Sequence, residues 1–299
     1  MITPLHKKSI FFYLFLISMI AGLQQGFAQF RPLSTQYYEN QYISNPAFAG
    51  YDKGISVNLS YRNQWRTIPG SPVTMNASGE YRYDKVGLGF NALNDKAGLI
   101  ARTRIMGMYA YHLPLNGDNR ELHFGVSLGV MREALDNPNI IAAPDDLSAL
   151  RFSDRKGFID GDLGIAYTTQ KLTLQGALPN LKKFFQKDEE NTIDGSTYFL
   201  AASYKVGLNT DAFTMEPKIS FRGAKDIDNI WDIGTNLKFE NNIISFMGMY
   251  HSDKSSTFGL GVSYDRFIVQ GFYTSQLAGQ RLTTGGDFEL NLKINLRNY

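Results

Sequence analysis

Histidine, serine and the carboxylates are the side chains with which a protein most often moves protons or attacks a bond near neutral pH. Here they are few. The 299-residue chain has four histidines, His6, His112, His123 and His251, and no cysteine. That composition removes disulfide frameworks, thiolate metal sites and thiol nucleophiles together. Gly117-Asp118 sits midway between His112 and His123. As the centre of a hairpin turn it sets Leu113 against Leu122 and His112 against His123, with both imidazoles on the polar face of a sheet. Two facing histidines are half of a zinc site, which takes three or four protein ligands, and no third ligand stands at motif spacing. The simpler reading is a polar cross-strand pair near a rim, so no metal and no cofactor are expected.

The other candidates are weaker. His251-Ser252-Asp253 reads as a turn at a strand end, and no Gly-x-Ser-x-Gly elbow supports a triad assembled across strands. Asp145-Asp146 and Asp188-Glu189-Glu190 lie in long loops without calcium-loop spacing, and read as solvated charge. Gly87-Leu88-Gly89 falls inside a strand, so it is no nucleotide fingerprint. No catalytic residue is expected.

The elements that must position these residues are clearest at the C-terminus. From Phe288 to Arg297, Phe288, Leu290, Leu292, Ile294 and Leu296 alternate with Glu289, Asn291, Lys293, Asn295 and Arg297. One face is oily and the other charged along a whole strand. A transmembrane strand needs about 9–11 such residues and must pair on both edges, because lipid satisfies no backbone group. The first strand, with Ile55, Val57, Leu59 and Tyr61 on one face and Ser56, Asn58, Ser60 and Arg62 on the other, is its natural partner.

Alternation and turn residues give fourteen strands, at about 53–64, 72–83, 85–94, 99–113, 120–132, 158–168, 171–178, 196–207, 211–222, 230–240, 243–251, 256–264, 266–275 and 286–297. Tight turns such as Asp84-Lys85, Thr169-Gln170 and Asp265-Arg266 alternate with longer links such as 133–157 and 179–195. Short turns at one end and long loops at the other are the bacterial outer-membrane arrangement, with the short end and both termini periplasmic. A soluble β-sandwich also alternates, but does not usually sort its loops by length along the chain. Pro217 inside the ninth strand predicts a bulge or a slipped boundary.

The expected organisation is a signal peptide over 1–28, an arm over 29–52 and an antiparallel transmembrane β-barrel over 53–299. Lys7-Lys8, the apolar run Ile10–Leu23 and small residues before Gln29 make the leader, with an uncleaved anchor as the alternative. The chain has 30 basic and 28 acidic residues, and loss of Lys7 and Lys8 leaves it formally neutral. Nothing therefore points to nucleic acid. Pro46 and Gly50 exclude a central strand, so Gln29–Lys53 reads as an ordered periplasmic arm or a plug segment. Inside the barrel, Arg102, Arg104, His112, His123, Lys293 and Arg297, with Glu80 and Arg82, are expected to face the lumen. They would set ion preference or pair as filling.

Particular residues add a resemblance. Gln36-Tyr37-Tyr38 through Asn45-Pro46-Ala47-Phe48-Ala49-Gly50, Ser60-Tyr61-Arg62-Asn63-Gln64-Trp65 with Pro72 and Thr74, Val86-Gly87-Leu88-Gly89-Phe90 with Asn94-Asp95, and Tyr109 to Leu115 resemble the PorP/SprF family of type IX secretion membrane proteins. The match in order and spacing covers about Gln29 to Gly129, and the C-terminal half shares only the barrel pattern. The resemblance implies a non-enzymatic outer-membrane barrel that supports type IX secretion and, in gliding bacteria, surface attachment of large adhesins. It implies two kinds of partner, an adhesin-like client with a C-terminal sorting domain and other components of the machine. Asn45, Pro46, Phe48, Gly50, Arg62 and Trp65 are the expected contact or gating surface, because ordered non-strand segments tend to carry function. A passive diffusion channel is the competing function, and an outer-membrane hydrolase a third.

Overall fold

The last strand closes on the first: Ile55 pairs with Leu296, Leu59 with Leu292 and Tyr61 with Leu290. A computed structural model describes residues 33–65, 70–115, 119–135, 157–182, 198–207, 213–224, 227–239, 242–276 and 285–296. The expected leader and Arg297 lie outside them. The described residues belong to one unit, an antiparallel barrel in which each strand pairs with its sequence neighbours.

Its strands are β1 (Gly54–Gln64), β2 (Val73–Tyr83), β3 (Val86–Ala97), β4 (Ile100–Leu115), β5 (Arg120–Leu135), β6 (Phe158–Thr168), β7 (Leu172–Leu178), β8 (Tyr198–Tyr204, resuming at Val206–Gly207), β9 (Phe213–Ala224), β10 (Ile227–Phe239), β11 (Ile244–His251), β12 (Ser255–Tyr264), β13 (Phe267–Gln276) and β14 (Asp287–Leu296). Fourteen strands were expected and fourteen close the ring.

Two details of the expected strands need correction. Pro217 causes no bulge: β8 keeps the same register against β9 on both sides of it, and the ladder lapses only at Tyr204-Lys205, opposite Pro217 and Glu216. The missing N–H breaks one side of the ladder without inserting a residue. The bulge lies farther on, between Arg222 and Ala224. The link expected between the strands at 85–94 and 99–113 shrinks to Gly98-Leu99, because the first of them runs on past Asn94 and Asp95 to Ala97. Their polar side chains bond across the ladder, Asn94 Nδ2 to Thr103 Oγ1 at 3.0 Å and Thr74 Oγ1 to Asp95 Oδ1 at 2.6 Å.

The two faces are inverted relative to a soluble protein. Leu59, Phe90, Leu128, Ile159, Phe258 and Leu290 stand exposed on the outside, while Asn58, Asn76, Asn91, Asp232, Glu289 and Lys293 are buried inside. Leaving such residues in water would forfeit about 1.5–3 kcal/mol each, so their solvent is lipid. At the short-turn end Tyr83 and Tyr264 are 71 % and 81 % exposed, where amphipathic rings meet a membrane interface. Asp84 and Asp265, which follow them, take positive φ, a conformation short Asp side chains tolerate.

Candidate functional site

A lumen of this kind is filled by something, and here it is the chain's own N-terminal segment. Residues 33–53 run inside the barrel as three short 3-10 turns, Ser34–Tyr37, Gln41–Ile43 and Pro46–Phe48. Their buried residues include Leu33, Tyr37, Tyr42, Asn45, Phe48 and Ala49. Proline at the first position and Asn45 as its cap start the third turn: Asn45 Oδ1 accepts from Ala47 N at 3.0 Å. The same side chain reaches the wall, where Nδ2 donates to Ile165 O at 3.2 Å and Gly176 O at 3.3 Å.

On one side the plug is held by close packing. Tyr42, Ala47, Phe48 and Ala49 cluster with Met106, Met108, Ala110 and Ala166, the apolar inward positions of β4 and β6. Glycine is required beneath the plug, above all where backbone meets backbone. A Cβ on Gly125 would lie 2.1 Å from Ala47 N, and one on Gly87 1.8 Å from Ala49 O. The wall is cut back so that two backbones meet.

On the other side the contacts are polar. Glu289 accepts from Ser34 N at 2.7 Å and Thr35 N at 3.1 Å. Tyr37 Oη donates to Asp232 Oδ2 at 2.9 Å, and burial pushes its phenol well above the usual range, keeping it a donor. Lys218 donates to Tyr37 O and to Gln41 Oε1. Glu39 pairs with Lys238 at 2.8 Å, and Lys293 donates to Glu39 O at 3.1 Å and Asp52 Oδ2 at 3.0 Å. Burial alone would raise the Glu39 carboxyl, but Lys238 and Lys293 outweigh it and hold it below the ordinary carboxylate range. A polar cavity of about 370 Å³ remains between this half of the plug and the wall, bordered by Glu39, Asp52, Glu216 and Lys238.

The residues expected to form one contact surface divide into two groups. Asn45, Pro46, Phe48 and Gly50 are together in the plug, and Gly50 N donates to Glu80 Oε2 at 2.9 Å. Arg62 and Trp65 stand at the far end of β1, about 30 Å along the strand from Gly54. Arg62 is buried opposite Glu289, and Trp65 N donates to Gly286 O at 3.0 Å. Arg102 and Arg104 are ion-paired inside the wall, with Glu133 at 2.8 Å and Asp162 at 2.6 Å. His112 and His123 are fully buried and their Nδ1 atoms are 2.7 Å apart.

Sequence reading missed Glu121, misplaced His251 and, Lys293 apart, did not single out the polar half of the plug seat. His251 is a buried wall residue rather than part of a turn. It bonds Asp232 Oδ1 at 2.6 Å and Thr257 Oγ1 at 2.8 Å. The order resembles an acid–base–nucleophile relay, but Thr257 is 2 % exposed and also bonded to Thr274, so the chain of bonds ties β10 to β13. The available signal was the run of inward polar residues on β9 and β10 facing an arm rich in Tyr, Asn and Gln.

A barrel with an internal plug is found in several membrane functions, and the family decides among them. The PorP/SprF profile, described as a type IX secretion system membrane protein, matches residues 26–294. The chain belongs to the PorP/SprF family. The match extends well beyond the N-terminal motifs and covers β5–β13 as well. PorP/SprF membership and the barrel together place the protein in the outer membrane as a component of type IX secretion. No curated protein matches the sequence. Among solved structures, the outer membrane protein Omp33 of Acinetobacter baumannii aligns with TM-score 0.51 and 9% identity over 83% of this chain and 100% of its own. The TodX deltaS2S3 mutant, a monoaromatic hydrocarbon channel, aligns with TM-score 0.52 and 12% identity over 86% and 94%. At these identities the likeness is one of fold.

Proposed function

We propose that this PorP/SprF barrel acts without enzymatic chemistry, supporting the secretion or surface attachment of large adhesin-like proteins. The observation that carries the reading is the plug. A passive pore gains from an unobstructed lumen, whereas here residues 33–53 occupy it and bond to the wall on both sides. A segment so held has two definable states, seated and released, and a partner that prefers one of them can drive a conformational change. In this reading the client's C-terminal sorting domain and other machine components are the partners, and Asn45, Pro46, Phe48 and Gly50 are the gating residues. Arg62 and Trp65 serve a separate contact at the long-loop end.

The experiment is quantitative proteomics of the cell-surface and medium fractions from a deletion strain and from the strain complemented with the intact gene. Loss of one or a few large proteins bearing sorting domains, restored on complementation, supports the reading and names the client. Unchanged surface and medium with reduced small-solute uptake would assign the protein to diffusion instead. Large, steady conductance of the purified barrel in a planar bilayer would point the same way.

A further inference from the structure

The geometry points to a divalent transition-metal site built from His112, His123 and Glu121, closed over by the plug. His112 and His123 face one another across β4 and β5, and Glu121 is two residues from His123 on the same inward face. One ligand atom from each lies within 4.8 Å of the others, with Glu121 Oε2 3.9 Å from His123 Nδ1. Zinc spacing motifs do not contain this third ligand, which a β-strand supplies by its period of two.

The surrounding bonds suit ligation. Ala49 O can only accept, so His112 Nε2 carries the proton in their 3.0 Å bond and His112 Nδ1 presents a lone pair. His123 then donates from Nδ1 to His112, and its Nε2 accepts from Thr168 Oγ1 at 2.8 Å. To ligate, His123 shifts its proton from Nδ1 to Nε2, and Thr168 reverses to accept it. No net proton is released, and both imidazoles then donate their distal N–H to oxygen, the usual support of a metal-bound histidine. Arg82 fixes the carboxylate through Glu121 Oε1 at 3.2 Å and Oε2 at 3.5 Å. Its positive charge works against the cation, so the site is expected to be of moderate affinity.

Tetrahedral zinc with bonds near 2.0–2.1 Å separates its nitrogens by about 3.3 Å, so the two rings must part by about 0.6 Å from their 2.7 Å contact. Three protein ligands and one water is an open, exchangeable arrangement, and imidazole with carboxylate suits Zn²⁺ or Cu²⁺. Glu121, 28 % exposed, offers an entry path. Phe48 stacks on His123 and Tyr51 meets its edge, so an occupied site bears directly on the seated plug.

The test uses the full chain folded in detergent, stripped with chelator and titrated with Zn²⁺ alone. The expected result is one zinc per folded chain, with an X-ray absorption spectrum showing two imidazoles at about 2.0–2.1 Å. Glu121→Gln should weaken binding at least tenfold, and His123→Gln should abolish it, in protein whose gel migration still shifts on boiling. Absence of stoichiometric zinc on the wild-type barrel overturns the site, as does unchanged affinity in Glu121→Gln. If His123→Gln does not fold, the wild-type spectrum and Glu121→Gln decide. The outcome is independent of whether the plug gates secretion.

Discussion

Gly125→Ala is the sharpest perturbation of the plug. The added methyl would sit 2.1 Å from Ala47 N and 2.2 Å from Pro46 C, where carbon contacts normally lie at about 3.5–4.0 Å. Both are backbone atoms of a capped turn, so no flexible side chain can swing away. Either the turn lifts by about 1.5 Å or β5 bends outward against its ladder, by the same contact distances. Overpacking of this kind costs about 1–3 kcal/mol, which shifts the balance toward released plug by about five- to 150-fold. The chain has no cysteine, so Ser44→Cys provides a single reporter, and its labelling rate by an impermeant thiol reagent reads the released fraction. The expected result is a rise within that range for Gly125→Ala and none for Gly248→Ala, where a Cβ meets nothing within 4 Å. A folded Gly125→Ala barrel that labels at the wild-type rate would refute the packing argument.

Further outcomes follow from other contacts. Asn45→Ala removes the cap and the Nδ2 donations to the wall, and should raise Ser44→Cys labelling about tenfold, the cap alone being worth about 1 kcal/mol. Asn45→Asp keeps the cap and loses the donors, and should fall between. Tyr37→Phe removes a hydrogen bond to a buried carboxylate, worth about 1.5 kcal/mol or a little more, and should release the plug roughly tenfold without unfolding the barrel. Glu39 has a lowered pKa in the folded protein, so its contribution is present above the ordinary carboxylate range and lost as pH falls through the lowered value. Glu39→Gln should therefore lower the melting temperature of the detergent-solubilised barrel at pH 7, and the difference from wild type should vanish on acidification.

What could be read in the sequence was whatever repeats with period two. Phe288 to Leu296 declare a membrane-facing strand and a partner, and a turn centred on Gly117-Asp118 predicts the His112–His123 pairing that β4 and β5 adopt, because hairpin register follows arithmetically from the turn. The plug seat was hidden for the opposite reason. Its partners are distant in sequence: Asn45 meets Ile165 and Gly176, and Tyr37 meets Asp232. No local pattern encodes contacts between a non-repeating segment and a wall. Even so, the inward faces of β3–β6 carry small or apolar residues, Gly87, Gly125, Ala110 and Ala166, where a water-filled lumen would carry polar ones. That break in the alternation was the legible trace of something lying against them.

The uneven seat also sets how a plug of this kind would leave. Contacts of Tyr37, Glu39 and Gln41 with β9–β14 can be replaced one at a time by bonds to water, each at a net cost of about 0.5–3 kcal/mol, far less than the bond is worth in isolation. The Phe48–Met106–Met108 cluster has no such exchange and loses its burial outright when it opens. The polar half should therefore hydrate first, widening the existing cavity beside Glu39 and Lys238, while the half against β3–β6 stays seated as the pivot. A partner that competes for Asp232, Glu289 or Lys218 needs to supply only polar groups to begin release. One that must displace Phe48 needs an apolar residue of its own. On the proposed reading, this makes the β9–β14 side the face where a client or machine component first acts, and Asn45–Gly50 the latch that sets how far the plug moves.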